Sequence, residues 1–114
     1  MAKLFIPIPT QAATGDITSS SQELGESNSF QNASLQYVAT GLNTADATVK
    51  LQGCNDNQAG AGNWMDITDS TVTLASGSSA AYLIIANVAM KYYRVVFSKG
   101  TNAAGTIAVN LNFN

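Results

Sequence analysis

Hydrophobic and polar residues alternate one by one through much of this chain, most cleanly at its end. Ile107, Val109, Leu111 and Phe113 fall on one side of residues 106–114, and Thr106, Ala108, Asn110, Asn112 and Asn114 on the other. A period of two is that of a β-strand with one face on a core. Residues 92–97, Tyr-Tyr-Arg-Val-Val-Phe, carry bulk on both faces and predict a central strand. With residues 100–105 as a turn between them, these two segments are expected to pair as one hairpin. Upstream, Leu35, Tyr37 and Ala39 alternate inward in residues 34–40, and Val49 and Leu51 in residues 47–53, with Lys50 and Gln52 outward. Residues 64–67 and 70–75 read as strands around a turn at Thr68 and Asp69. Residues 81–88 are apolar on both faces except at Asn87, which predicts a strand that is central or half-covered by a neighbour. Its Leu83 and Ile85, opposite Tyr82 and Ile84, are the candidate contact with another subunit. Short strands at this spacing predict an all-β protein, a single antiparallel β-sandwich of jelly-roll type. Its core is expected to hold Trp64, Tyr93, Val95, Phe97, Ile107, Val109, Leu111 and Phe113.

Residues 1–33 have a different texture. They are rich in Ser, Gln, Asn and Gly, and such a segment buries too little area to offset the entropy of ordering it. Leu4, Phe5, Ile6 and Ile8 are the exceptions, and Pro7 and Pro9 keep that end out of a central strand. Two readings are open: an extended N-terminal arm that reaches a neighbouring subunit, or a strand closing the chain's own sheet. Ser20 and Glu23 match a helix capping box, but no helical period follows and Gly25 interrupts, so a short strand and turn is preferred. The chain is thus expected to be one domain overall, with residues 1–33 as arm and first short strand and residues 34–114 as the β-sandwich core.

Composition narrows the function. In 114 residues, 46% are hydrophobic, enough for one core and not two. Charged residues are only 11%, under half the roughly 25% of an average domain. Surface charge keeps monomers apart, so its scarcity favours a protein that works assembled, a homo-oligomer. A net charge of −2 with five basic residues leaves nothing to neutralise a phosphate backbone, so no nucleic acid is expected as partner. No stretch approaches the length of a membrane span, so no membrane is expected either. The N-terminal apolar run is broken by proline before it reaches signal-peptide length, which predicts assembly in a cytoplasm without secretion.

Catalytic chemistry is poorly provided for. The chain has no His, the commonest general acid–base and metal ligand, and Cys54 stands alone without a sulfur partner. No enzyme, no cofactor and no metal site are expected. Asn55, Asp56 and Asn57 before Gly60 look superficially like a calcium loop but lack the terminal bidentate Glu, and turn formation explains them. Trp64 beside that loop can be read as closing one end of the core or as a platform for a sugar ring. With Asn55, Asp56 and Asn57 it would form a glycan-contact loop.

The succession Val49-Lys50-Leu51-Gln52-Gly53-Cys54-Asn55-Asp56, Asn63-Trp64-Met65-Asp66-Ile67, Lys91-Tyr92-Tyr93-Arg94-Val95-Val96-Phe97 and Gly105-Thr106-Ile107 resembles small phage virion proteins of the capsid-decoration and head-fibre-base type. The resemblance runs over residues 34–114 and leaves the N-terminal third uncovered. Cys54 stands where a small residue such as Ser is more usual. The resemblance implies a structural role on the capsid surface of a virion, with the major capsid protein or other virion proteins as partners, and it brings no catalytic residues. The other reading is a carbohydrate- or receptor-binding sandwich of a tail fibre or adhesin.

Overall fold

The structure is a computed structural model and describes residues 3–23, 32–56, 62–86 and 90–113. Ten strands follow in order: β1 (Lys3–Ala12), β2 (Ile17–Thr18), β3 (Gln22–Glu23), β4 (Asn32–Leu42), β5 (Thr48–Cys54), β6 (Met65–Asp66), β7 (Val72–Thr73), β8 (Gly77–Ala86), β9 (Tyr92–Ser98) and β10 (Thr106–Phe113). They form two antiparallel sheets. One is four-stranded in the order β1-β10-β4-β8; in the other β2 and β3 flank β9, which pairs with β5, which is flanked by β6 and β7. Taking β2 with β3 and β6 with β7 as single interrupted strands, first pairs with last, second with second-last, and so on inward. That nesting is a jelly roll.

Alternation explains the core. In β9 and β10 every second side chain is buried and the intervening ones are half-exposed. Val49 and Leu51 of β5 and Leu35 and Ala39 of β4 follow the same rule, and the two inner faces meet as one hydrophobic cluster. Tyr93 of one sheet packs on Phe113 of the other at 4.9 Å between ring centroids.

Four expectations are corrected. β9 and β10 do not pair with each other: β10 lies between β1 and β4, and β9 between β2/β3 and β5. The connection is an arch that carries the chain from one sheet to the other, because both strands bury one complete face and those faces meet across the core. At its end Gly105, at φ 87°, lies so close to Gly41 that a Cβ would strike the Thr40 carbonyl oxygen.

The N-terminal segment, secondly, is a strand of the chain's own sheet. β1 runs antiparallel to β10 from Lys3 opposite Phe113 to Ala12 opposite Thr106, and Ile8 is fully buried. The boundary at residue 33 therefore separates no packing unit. Pro7 and Pro9 do confine β1 to a sheet edge, with register shifts on either side of Ile8. Thirdly, of the two readings of β8 the central one fails, since among the described residues it is an edge strand; the half-covered reading is left standing. Fourthly, Trp64 is half-buried and stands outside the core cluster.

Candidate functional site

The outward face of the β5–β9 sheet carries a connected cluster of charged and amide side chains. Since Tyr93, Val95 and Phe97 point into the core, Tyr92, Arg94 and Val96 point out, and Lys50 and Gln52 join them from β5. Arg94 Nε donates to Gln52 Oε1 at 2.7 Å, and Gln52 Nε2 donates to Asp66 Oδ1 at 2.9 Å. Lys50 Nζ reaches both carboxylate oxygens of Asp66, at 3.1 and 3.2 Å. The Arg94 guanidinium lies over the Trp64 ring, 4.4 Å from its centroid. Gln52 and then Lys50 hold the Asp66 carboxyl below its ordinary range.

These groups satisfy one another. The result is a polar clasp that ties β6 and Trp64 onto β5 and β9. Its carboxylate is ionised at neutral pH and so has no proton to donate. Among the described residues, no three of His, Cys, Asp or Glu come close enough to hold a metal ion.

The expected glycan loop is partly assembled. Asp56 accepts hydrogen bonds from the Asn63 backbone N–H at 2.9 Å and from Asn63 Nδ2 at 2.7 Å, which lower its pKa. Asn55 Oδ1 accepts from the Lys91 N–H at 2.9 Å, joining this loop to the start of β9. Asn57 lies outside the described residues. Trp64 Nε1 is buried with no hydrogen-bond partner among the described residues, and Arg94 occupies one face of its ring. Asn55 and Asp56 thus hold the loop's own shape. Arg94 and Gln52 were missed by sequence reasoning, although outward alternation in β9 and β5 contains the signal that places them beside Trp64. Cys54 is buried, as an inert thiol would be.

The outward face of the other sheet is chemically opposite. After Lys3, strands β1, β4, β8 and β10 contain no Asp, Glu, Lys or Arg. Leu4, Ile6, Val38, Tyr82 and Ile84 are exposed on it, Tyr82 to 68% and Ile84 to 65%. Asn110, Asn112 and Gln36 lie in the middle of this face, and a shallow groove runs along it between Ile6 and Val38.

Of the four arm candidates, Leu4 and Ile6 stand on this surface. Phe5 is half-buried, edge-on to Phe113 at 5.9 Å, and Ile8 is in the core. Leu83 and Ile85, expected at a subunit contact, point the other way. Ile85 is buried and Leu83 packs half-buried against the core, so Tyr82 and Ile84 are the side chains β8 presents outward.

No family model matches the chain, and no curated protein matches its sequence. Its fold, however, occurs in solved structures. The SPBc2 prophage-derived protein YomS superposes with a TM-score of 0.64 at 13% identity, covering 99% of this chain and 92% of that one. A structure described as a family 4 carbohydrate-binding module follows with a TM-score of 0.52 at 16% identity, over 82% of this chain and 56% of the other. A chain from infectious bursal disease virus, Gx strain, gives 0.51 at 12% identity, over 99% of this chain and 31% of that one. The class these likenesses define is the antiparallel β-sandwich, at identities that speak for fold alone.

Proposed function

We propose that this protein is a non-enzymatic structural component of a bacteriophage virion, a decoration, cement or head-fibre-base subunit on the capsid surface. The observation that carries this reading is the four-stranded sheet without a charged residue after Lys3, with Leu4, Ile6, Val38, Tyr82 and Ile84 left in solvent. A freely diffusing monomer gains nothing from such a face, whereas a subunit that docks on a neighbour avoids desolvating charges there. The resemblance of residues 34–114 to small virion proteins agrees with it, as does a whole-length fold likeness to a protein whose name marks it as prophage-derived. The partner is the major capsid protein or another virion protein. Repetition over a shell multiplies the modest affinity of each subunit.

The carbohydrate-binding reading ranks second. It would use Trp64 and the loop at Asp56, but one ring face is covered by Arg94 and the Asp56 carboxylate is engaged by Asn63. Electron microscopy of virions purified with and without the gene separates the two. Loss of defined surface density without it supports the structural role. Unchanged particles, together with glycan-array binding by the isolated protein, would replace it with the second reading.

A further inference from the structure

A β-sandwich of two open sheets has four edges, and each is a row of unpaired N–H and C=O groups that can template another strand. Three of them are guarded here. On the four-stranded sheet, β1 has Pro7 and Pro9, which lack N–H donors, and two register shifts that bend it. On the other sheet both edges are broken into strands of two residues, β2 and β3 on one side, β6 and β7 on the other. At each break a serine takes over the ladder. Ser19 binds Val95 through its N–H and its hydroxyl, and the Ser70 hydroxyl binds both the N–H and the C=O of Leu51.

The fourth edge, β8, lacks the prolines and the breaks, and its one register shift with β4 lies at its start, between Gly77 and Ser79. It is ten residues long, keeps an unbroken register with β4 from Ser79 to Ala86, and contains no proline and no charge. Its other side pairs with nothing among the described residues. At about 3.3 Å per residue it presents about 33 Å of open backbone.

We infer that β8 pairs edge to edge with β8 of a second copy, joining two four-stranded sheets into one of eight strands. The occupant follows from the other edges. Two identical edges related by a two-fold axis through the sheet run antiparallel, the arrangement that both sheets of this fold already use. A β8–β1 contact, which would propagate into a fibre, meets the prolines of β1. The pairing therefore closes after one step, as a dimer. Charge agrees: among the described residues the acidic ones lie outside this sheet, so they set up no repulsion between two copies approaching there. A register centred on Tyr82 uses the full strand and brings Ala80 of each copy opposite Ile84 of the other, continuing the apolar outer face across the joint. An edge about 33 Å long and about 10 Å thick falls short of the roughly 800 Å² per partner of a standard interface. The free dimer is accordingly weak and depends on concentration.

The inference rests on the assembly reading for where the dimer is used, but its test needs only purified protein, so each can fail without the other. Sedimentation velocity is run over a concentration series on the wild type and on Ala81→Lys, Ile84→Lys and Ile6→Lys. All three positions are exposed, so the fold tolerates the change, and circular dichroism and Tm verify this. The expected result is a dimer that grows with concentration, is lost in Ala81→Lys and Ile84→Lys, and persists in Ile6→Lys on the far edge. A wild type that stays monomeric throughout overturns the inference. So does a dimer indifferent to the β8 lysines, and so does one that Ile6→Lys also abolishes, which would indicate face-to-face stacking.

Discussion

Asn102 has no accessible surface, yet every polar group of its side chain is used. Its amide nitrogen donates to the carbonyls of Ala13 and Ala104, both at 2.8 Å, and its Oδ1 accepts from the Asn43 N–H at 2.8 Å. Asn43 answers in kind, accepting from the Ala103 N–H at 2.9 Å. A few residues away, Asp46 takes both the N–H and the hydroxyl of Thr101, at 2.9 and 2.8 Å. Through these bonds the β9–β10 arch is fastened to the end of β1 and to the β4–β5 loop. Substituting Asn102→Leu keeps the bulk but strands the Ala13 carbonyl in a buried site, while the Ala104 carbonyl and the Asn43 N–H, part-buried, can turn to water. A stability loss of about 1–3 kcal/mol by urea unfolding is expected, the cost of one orphaned buried group. A loss below about 1 kcal/mol would mean that water replaces the side chain. In the sequence this residue sat inside a turn of Gly, Thr, Asn and Ala, and nothing in that composition distinguishes a buried pin from an exposed one.

Strands were legible because alternation is a local property, and pairing was not because it is global. Residues 92–98 and 106–113 alternate equally well whether they lie side by side or face each other across a core, and only the arch decides between the two. β8 shows the same limit. Tyr82 and Ile84 outward with Leu83 and Ile85 inward read as a strand covered on both sides, because a bare apolar face and a covered one have the same letters. The polar clasp around Asp66 was partly within reach, as Lys50, Gln52 and Arg94 fall on outward positions. Their meeting with Trp64 depended on the β5–β6 register.

β1 was the undecided element, and it sets a prediction. Because Ile8 fills the core and β1 covers one side of β10, deleting residues 3–9 exposes the β10 backbone and leaves a cavity. Removing a large aliphatic side chain alone costs about 2–5 kcal/mol. The truncated protein is expected to melt far below the full chain, or to collect in the insoluble fraction. A truncation that melts with the full chain would restore the arm.

For the whole molecule, titration follows from which groups are missing. With no His, few groups change charge between about pH 5 and 8, and stability should be nearly flat there. Below that range the carboxylates matter. Asp46 is held under its ordinary value of 3.8 mainly by the Thr44 hydroxyl and then Thr101, Asp56 by Asn63, and Asp66 by Gln52 and Lys50. A depressed folded pKa gives stability that is present above 3.8 and lost as pH falls through the folded value. At the alkaline end Tyr93, which accepts from the Met90 N–H at 2.7 Å, is raised above 10.0 by burial. It therefore favours the folded state only until pH climbs past that point. Thermal melts from pH 2 to 11 should trace a plateau with both shoulders. A steep slope between pH 5 and 8 would contradict this account.

The pairing of Lys3 with Phe113 makes the two ends of the described chain neighbours on one sheet, about 5 Å apart by Cα. A short bridge could then join them, and the resulting ring could be cut elsewhere without parting a strand. Ala75 and Ser76, exposed between β7 and β8, offer such an opening. The same neighbourhood means that a peptide appended to either end emerges from the same corner of the sandwich. Cargo on both would leave side by side, at the opposite edge of the sheet from β8.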